Sequence, residues 1–598
     1  AAAAALDDSG SRVLQLPGLE FGAFRWGYTV DQPLAALSES PLVTRDLLPL
    51  GSPAAMNLLY ALDDRIQDGV LEPSALAPLA RLLGASHVWL SNDAAYDRFD
   101  VPHPALVGEQ LDAAGGLETP ASYGPLVVNT PTLPMDDGRY LARSGVGEPA
   151  PQVELYPVAD PPRTVRAATR AVVVSGDGDG LVDAAGAGVL PEDAVIVYSA
   201  AAPDGALDDL LADSAGLIVT DSNRARARHW RSSQDTTGFT ESAGRDGAAP
   251  TELTEQAVGD ARLPVFAESP SDAAPATLTT AAQRGPVIAR ADAYGQPFAL
   301  LPEHRPYFAV DGDPTTAWTV GEHGDPLGAT FTATLTDASR PPHALTITQY
   351  AAEPGQRQIS TLTLRYVDAA GDRLGDPLQF DIAPADAGPT TVPLDPPAGT
   401  QALSVTIDAL APGVPGTAGA VAGVGFAEFD LGLGPTREVV IVPDDAVTVL
   451  GPDDPVTFVF TRLRTDPSDR WRDDPEPTLV RQFETPDARS LRAAVTLRLD
   501  ARAPDAELAA LLGWPVTASS RLLGRPEHAG PAAIDGDPTT AWITGYGGAR
   551  GATLEIAGVN EPVSAITVHQ PTTGFTRVTE LVLAVGAEQR TVELTEAA

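Results

Sequence analysis

Apolar positions follow three rhythms along this chain, and the changes of rhythm suggest where its parts begin. Over residues 12–160, short apolar runs alternate with stretches at helical spacing. Residues 12–16 and 87–90 read as buried strands, while Met56, Leu59, Leu62 and Ile66 mark one face of a helix over 54–67. Ser52 before that helix, Pro53 at its first position and Gly69 beyond its end are residues that start and stop helices. From 166 the apolar runs 171–174, 194–198 and 216–220, with a helical segment at 206–213, predict a small parallel sheet. Residues 238–278 lose periodicity and are rich in Ala, Pro, Ser, Thr and acids, so a long loop or linker is expected there.

From 284 the alternation has period two, at 345–348, 362–366 and 403–407, as in a β-sandwich. Strands at 456–462 and 493–499, around a charged loop at 466–474, predict a β-rich connecting domain. The expected organisation is an α/β or α+β domain at 1–165, a small parallel-sheet domain with its linker at 166–283, and a sandwich at 284–432. A connecting domain at 433–513 and a second sandwich at 514–598 complete it. The fold class is therefore mixed α/β and β, with N-terminal α/β units followed by β-sandwich modules.

The second sandwich is inferred from a repeat. The octapeptide DGDPTTAW occurs at 311–318 and again at 535–542. Pro302-Glu303-His304 matches Pro526-Glu527-His528, and after a one-residue slip Gly328-Ala329-Thr330 matches Gly551-Ala552-Thr553. Similarity at such long range indicates duplicated domains and not a solenoid. Within the motif, Asp bonds local amides, Gly permits positive φ and Pro sets the next turn, which together make a tight loop. Trp318 and Trp542 then enter the core. The loop also gathers carboxylate, carbonyl and hydroxyl oxygens, the ligands of a hard cation such as calcium. Asp311 and Asp535 either cap their loops only or also ligate a cation.

This motif resembles the discoidin, or coagulation factor 5/8 type C, β-sandwich, a jelly roll whose members include many carbohydrate-binding modules. The resemblance implies a structural calcium ion shared between the Asp-Gly loop and a Glu of the closing strand. In the first copy it implicates Asp311, main-chain oxygens at Val310 and Asp313, Thr316, and Glu428 in the segment 425–431. In the second it implicates Asp535, Asp537 and Thr540, with no counterpart of Glu428 before Ala598, so that module is expected to be incomplete at its C-terminal side. Loops at one end of such sandwiches carry ligand contacts, which makes Tyr350, Arg357, Tyr546 and Arg577 candidate carbohydrate-binding residues.

A second resemblance covers more of the chain. Leu16-Pro-Gly-Leu, Phe24-Arg-Trp-Gly-Tyr28, Arg81-Leu-Leu-Gly-Ala-Ser-His-Val88, Thr220-Asp-Ser-Asn-Arg224 and His229-Trp-Arg-Ser-Ser-Gln-Asp235 are together similar to the extracytoplasmic region of the actinobacterial α-(1→3)-arabinofuranosyltransferase family. That resemblance implies a glycan-binding portion on the extracytoplasmic face of the plasma membrane. Its partners would be an arabinan-type envelope glycan and a membrane-spanning GT-C catalytic domain of the same parent chain. The parent enzyme would transfer arabinofuranose from a decaprenyl-phosphate donor to arabinogalactan or lipoarabinomannan. No window approaches the roughly 18 apolar residues that cross a bilayer, so that catalytic domain is not expected here and no catalytic residue is assigned. The rival readings are a secreted glycosidase with carbohydrate-binding modules and a non-catalytic envelope scaffold.

Composition narrows the partners. A formal charge of −41 argues against nucleic acid, which requires clustered cations. All 39 basic residues are arginine, which suits a GC-rich source. The absence of cysteine removes disulfides, thiolate metal sites and cysteine nucleophiles. Two polar clusters remain. Gly176-Asp-Gly-Asp-Gly180 lacks the third Gly of a nucleotide loop and its acids would repel phosphate, so a solvated acidic turn is expected. Asp221, Asn223, Arg224, His229 and Asp235 form the densest polar group outside the repeats, and Asp221 falls at the carboxyl end of a strand, where α/β proteins often place ligands, so a site is conceivable. The favoured reading there is an Asx turn with Arg224, Arg226, Arg228 and Arg231 in solvent. The eight His are scattered without HExxH spacing, and GxSxG is absent, so a hydrolase mechanism has no anchor.

Overall fold

A computed structural model describes the chain except for residues 7–10, 46–50, 133–147, 162–169, 230–236, 241–253, 258–276, 297–300, 464–475, 498–502, 523–527, 571–575, 595–598 and gaps of one to three residues elsewhere. In the N-terminal part, strand Arg12–Gln15 lies parallel to Leu42–Val43 and to Ala85–Ser91. Ala150–Pro157 and then Ala121–Val127 extend the sheet antiparallel. Helix Pro53–Gln67 covers it. Ser52 sits extended at the N-cap but makes no side-chain capping bond, and Gly69 follows the helix end at φ +68°. Leu59, Leu62 and Ile66 are buried on one face, as their spacing predicts.

The second sheet is parallel, in the order Val456–Val459, Gly216–Thr220, Ala171–Ser175, Val195–Tyr198. It shares its core with the first. Leu14, Leu59 and Leu62 belong to the same buried cluster as Val172, Leu181 and Ile218, so helices Pro53–Gln67 and Gly178–Gly186 lie between two sheets. The glycines of the 176–180 segment make this packing possible. A Cβ on Gly178 would fall 2.7 Å from the Leu58 backbone, and one on Gly180 would fall 2.4 Å from the Thr220 hydroxyl. The solvated acidic turn expected there is therefore corrected. Asp177 is buried and caps helix Gly178–Gly186 by accepting from the amides of Asp179 and Gly180.

The sandwich follows as two antiparallel sheets. One has five strands in the order Val287–Ala291, Thr330–Leu335, Ala402–Ala411, Gln358–Val367, Arg373–Asp381. The other has four, Trp318–Val320, Val424–Asp430, Ala344–Gln349, Thr390–Pro393. Burial alternates along Thr330–Leu335 and Ala344–Gln349, the signature of strands with one face inward. Trp318, Phe331, Phe426 and Phe429 meet in the centre with neighbouring rings 4.9–5.8 Å apart.

Three expectations change. Strand Val456–Val459 joins the parallel sheet beside Gly216–Thr220, and Val442 and Val447 pack with Val173 and Val219. Residues 442–459 therefore complete the α/β part, and the sandwich is an insertion into it. Residues 493–497 form no strand, with Val495 and Leu497 exposed, while the predicted loop at 466–474 lies outside the described residues. In the expected linker, strands Thr237–Thr240 and Thr254–Ala257 flank Arg226–His229 in a three-stranded antiparallel sheet. Polar strands of this kind lack the apolar alternation that would reveal them. In the last part, Val516–Ala518 pairs with Leu554–Ile556, and Glu580–Val585 with Glu588–Glu593.

Candidate functional site

The first repeat loop holds itself together. Asp313 N–H donates to Asp311 Oδ1 at 3.0 Å, and the Thr316 hydroxyl lies 2.9 Å from both Asp311 Oδ2 and the Asp313 carbonyl. Gly312 takes φ +82°, which its lack of a Cβ permits. Below the loop runs the closing strand Val424–Asp430, paired with Trp318–Val320 and Ala344–Gln349. It brings Glu428 toward Asp311. Burial, followed by repulsion from Asp311, Asp430 and Asp313, pushes the Glu428 carboxyl up to about 7. Burial is also the leading cause that raises Asp311 to about 6, against hydrogen bonds from Asp313 and Thr316.

Glu428 Oε1 is buried and has no hydrogen-bond partner. A buried acceptor without a donor, next to the half-buried carboxylate of Asp311, fits a cation. The Asp313 carboxylate instead accepts from the Thr315 amide and hydroxyl, at 2.9 and 2.6 Å, so from this residue only the main-chain oxygen suits the role. The Val310 carbonyl accepts from Thr436 N–H at 2.8 Å and keeps a second lone pair. Among the described residues no group of three or more His, Asp or Glu side chains is arranged for a metal. Any ion here would rest on two carboxylates plus hydroxyl and carbonyl oxygens.

The second loop repeats the internal bonds. Asp537 N–H donates to Asp535 Oδ1 at 2.8 Å, and the Thr540 hydroxyl donates to Asp535 Oδ2 at 2.6 Å. Trp318 and Trp542 each donate the indole N–H to a main-chain carbonyl at 3.0 Å, Ala293 and Ser520 respectively. No strand among the described residues brings a carboxylate to Asp535 as Val424–Asp430 brings Glu428.

The carbohydrate candidates separate. The Arg357 guanidinium is committed to the main chain, donating to Ala422 O at 2.7 Å, to Gly324 O at 3.0 Å and to Gly321 O. It fastens loops at one end of the sandwich. Tyr350 is half-buried, edge-on to His304 with ring centroids 6.0 Å apart. Arg577 is exposed beside strand Glu580–Val585, and Tyr546 lies outside the described residues.

The polar group at 221–235 is also revised. Arg224 is buried, pairs with Asp221 at 2.9 Å and with Glu476, and donates to the Thr240 hydroxyl at 2.9 Å. Arg481 closes the quartet on Glu476 at 2.8 Å and on Asp221. Burial would raise Glu476, but Arg224 and Arg481 outweigh it and hold this carboxyl below its ordinary value. Two acids and two arginines cancel, and removing one member would strand a buried charge. The quartet is a brace across the carboxyl ends of the parallel strands. The nature of Arg224 was not legible because Glu476 and Arg481 lie far along the chain. Arg231 and Asp235 lie outside the described residues.

Comparison with known proteins adds a family. Residues 1–255 match the model described as "Alpha-(1->3)-arabinofuranosyltransferase, N-terminal GT-C domain". No helix among the described residues is long and apolar enough to cross a membrane. An alpha-(1->3)-arabinofuranosyltransferase of Mycolicibacterium smegmatis is 28% identical over 449 residues, covering 72% of this chain and 29% of that protein. One from Mycobacterium tuberculosis is 30% identical over 151 residues, 25% of this chain and 10% of that protein. The chain thus spans under a third of the length of either relative. In fold, it matches the cryo-EM structure of the mycobacterial arabinofuranosyltransferase AftD with a TM-score of 0.58 at 21% identity, over 90% of this chain and 40% of that one.

Proposed function

Because the chain is AftD-like, a relative of the alpha-(1->3)-arabinofuranosyltransferases, we propose that it is the glycan-binding portion of an arabinofuranosyltransferase and holds arabinan close to a membrane catalytic domain of the parent protein. The sequence match over 449 residues to the M. smegmatis enzyme carries this reading. On it, the parent enzyme works at the extracytoplasmic face of the plasma membrane. It adds arabinofuranose from a decaprenyl-phosphate donor to arabinogalactan or lipoarabinomannan, and the residues described above bind rather than react. Weak acceptor contacts on a tethered module raise the local acceptor concentration at the transferring site.

The first sandwich would be ordered by calcium. Asp311 and Glu428 would hold it together with the Thr316 hydroxyl and the carbonyls of Val310 and Asp313, and its charge would offset the repulsion between the two carboxylates. That would link the repeat loop to the closing strand and stiffen this part of the sandwich. Asp535, Asp537 and Thr540 would form a weaker version in the second copy.

The test is calorimetric titration of the chain with arabinan oligosaccharides, with calcium and then with chelator. Saturable binding that weakens on chelation is the expected result. An absence of binding in both conditions would sink the reading, and hydrolysis of the oligosaccharides would replace it with a glycosidase.

A further inference from the structure

Exposed aromatic residues cluster on the N-terminal unit. The hairpin Ala23–Phe24 and Gly27–Tyr28 presents Trp26, 59% exposed, and Tyr28, 48% exposed. Rings of this size are ordinarily well buried. These are nevertheless held in place. Trp26 stacks on Phe24 with centroids 5.1 Å apart and planes 8° apart. Tyr28 leans on Phe21 and Phe99, and the Arg98 guanidinium sits 4.6 Å from its ring centre. The hairpin itself is tied down, since Arg25 N–H donates to Asp93 O at 2.8 Å and the Arg25 side chain pairs with Asp97 at 2.6 Å.

We propose that this aromatic shelf is a separate glycan contact, taking the C–H face of a sugar ring in a neutral polysaccharide. A sugar ring presents C–H groups on its face and hydroxyls at its rim. A flat, immobile aromatic surface buries the first at little entropic cost, and Arg98 at its edge meets the second. Charge decides among the occupants. Arg25 and Arg98 are matched by Asp93 and Asp97, so the shelf lacks the clustered cations that anionic lipid or a phosphate backbone requires. A neutral polyol needs none. The inference deepens the glycan reading above and rests on it, adding a contact on the α/β part where that reading places contacts on the sandwiches.

The test uses the whole chain and its Trp26→Ala and Tyr28→Ala variants, titrated with arabinan oligosaccharides and, separately, with neutral and anionic phospholipid vesicles. Both side chains are exposed, so the unfolding temperature should hold. Each variant is expected to lose about tenfold or more in oligosaccharide affinity, the size of effect seen for an aromatic anchor. Unchanged affinity in both variants would overturn the shelf and leave the glycan reading standing. No binding by the parent chain would overturn both. Vesicle binding by the parent that disappears in Trp26→Ala, with oligosaccharide binding unaffected, would make the shelf a membrane contact instead.

Discussion

The two copies of DGDPTTAW fold into the same loop in very different surroundings. Each Asp accepts from the amide two residues on, each Thr hydroxyl bonds that Asp, and both central glycines sit at φ +82°. Yet Trp318 is fully buried against Phe331 and Phe426, while Trp542 keeps partial exposure, and Val310 is 6% exposed where its counterpart Ile534 is 49% exposed. Eight residues suffice to shape the loop. Part of the core beneath it, and the second carboxylate that makes it a candidate cation site, come from a strand more than a hundred residues further on. A local motif therefore reports the presence of a module but not its completeness.

Breaking the difference most strongly should be loss of the two tryptophans. Trp318→Ala is expected to cost about 3–5 kcal/mol in the unfolding of its sandwich, since it empties the aromatic centre. Trp542→Ala should cost about 1 kcal/mol. Equal losses in denaturant titration would mean that the second copy has a closed core of its own. Next in size is the response to calcium. At a hundredfold excess over its dissociation constant, the ion should stabilise the first sandwich by about 2.7 kcal/mol. Glu428→Gln should remove most of this gain and Asp535→Asn almost none of it, as read from melting temperatures with and without chelator.

Acidity gives a smaller separation. Asp311 near 6 and Glu428 near 7 bind protons more tightly in the folded chain than ordinary carboxyls do when unfolded. Their contribution is present in full below the ordinary carboxyl range and is lost as pH rises through 6 and 7. The chelated first sandwich should then melt higher at pH 5 than at pH 7.5. Glu428→Gln should flatten that slope, and a metal-free protein that grows more stable over this interval would contradict the paired-acid geometry. The smallest effect probes the shared part. Thr316→Val and Thr540→Val each remove a hydroxyl that bonds the loop's Asp carboxylate and the carbonyl three residues back, and should cost a similar amount, about 1 kcal/mol. Unequal losses would show that the loops differ despite their matching bonds.

Sequence periodicity located what is local. Strand Gly216–Thr220, helix Pro53–Gln67 with Gly69 at its end, and the alternating sandwich strands are set by their own residues and near neighbours. What depends on distant partners was not legible. Arg224 sits in a segment that reads as a solvated turn, and only Glu476 and Arg481 make it a buried brace. Asp177 and Gly178 resemble an acidic surface turn until helix Pro53–Gln67 arrives, with Asn57 accepting from the Gly178 amide. Arg357 has the chemistry of a sugar contact, and four main-chain carbonyls accept from it. Charge and hydroxyl content mark where a site is possible, whereas topology decides whether its groups remain available.

The placement of strand Val456–Val459 turns the architecture into a matter of time. Its neighbour Gly216–Thr220 leaves the ribosome roughly 235 residues earlier, about 10–50 s at ordinary synthesis rates. During that interval one edge of the parallel sheet is open, and the sandwich has time to close before the last strand emerges to seal it. A bare sheet edge invites pairing with other chains. The interval before the seal is thus the moment at which a nascent chain is most exposed to misassembly, so any change that delays closure of the sandwich should be felt first in the yield of the protein, even where the finished molecule is unaltered.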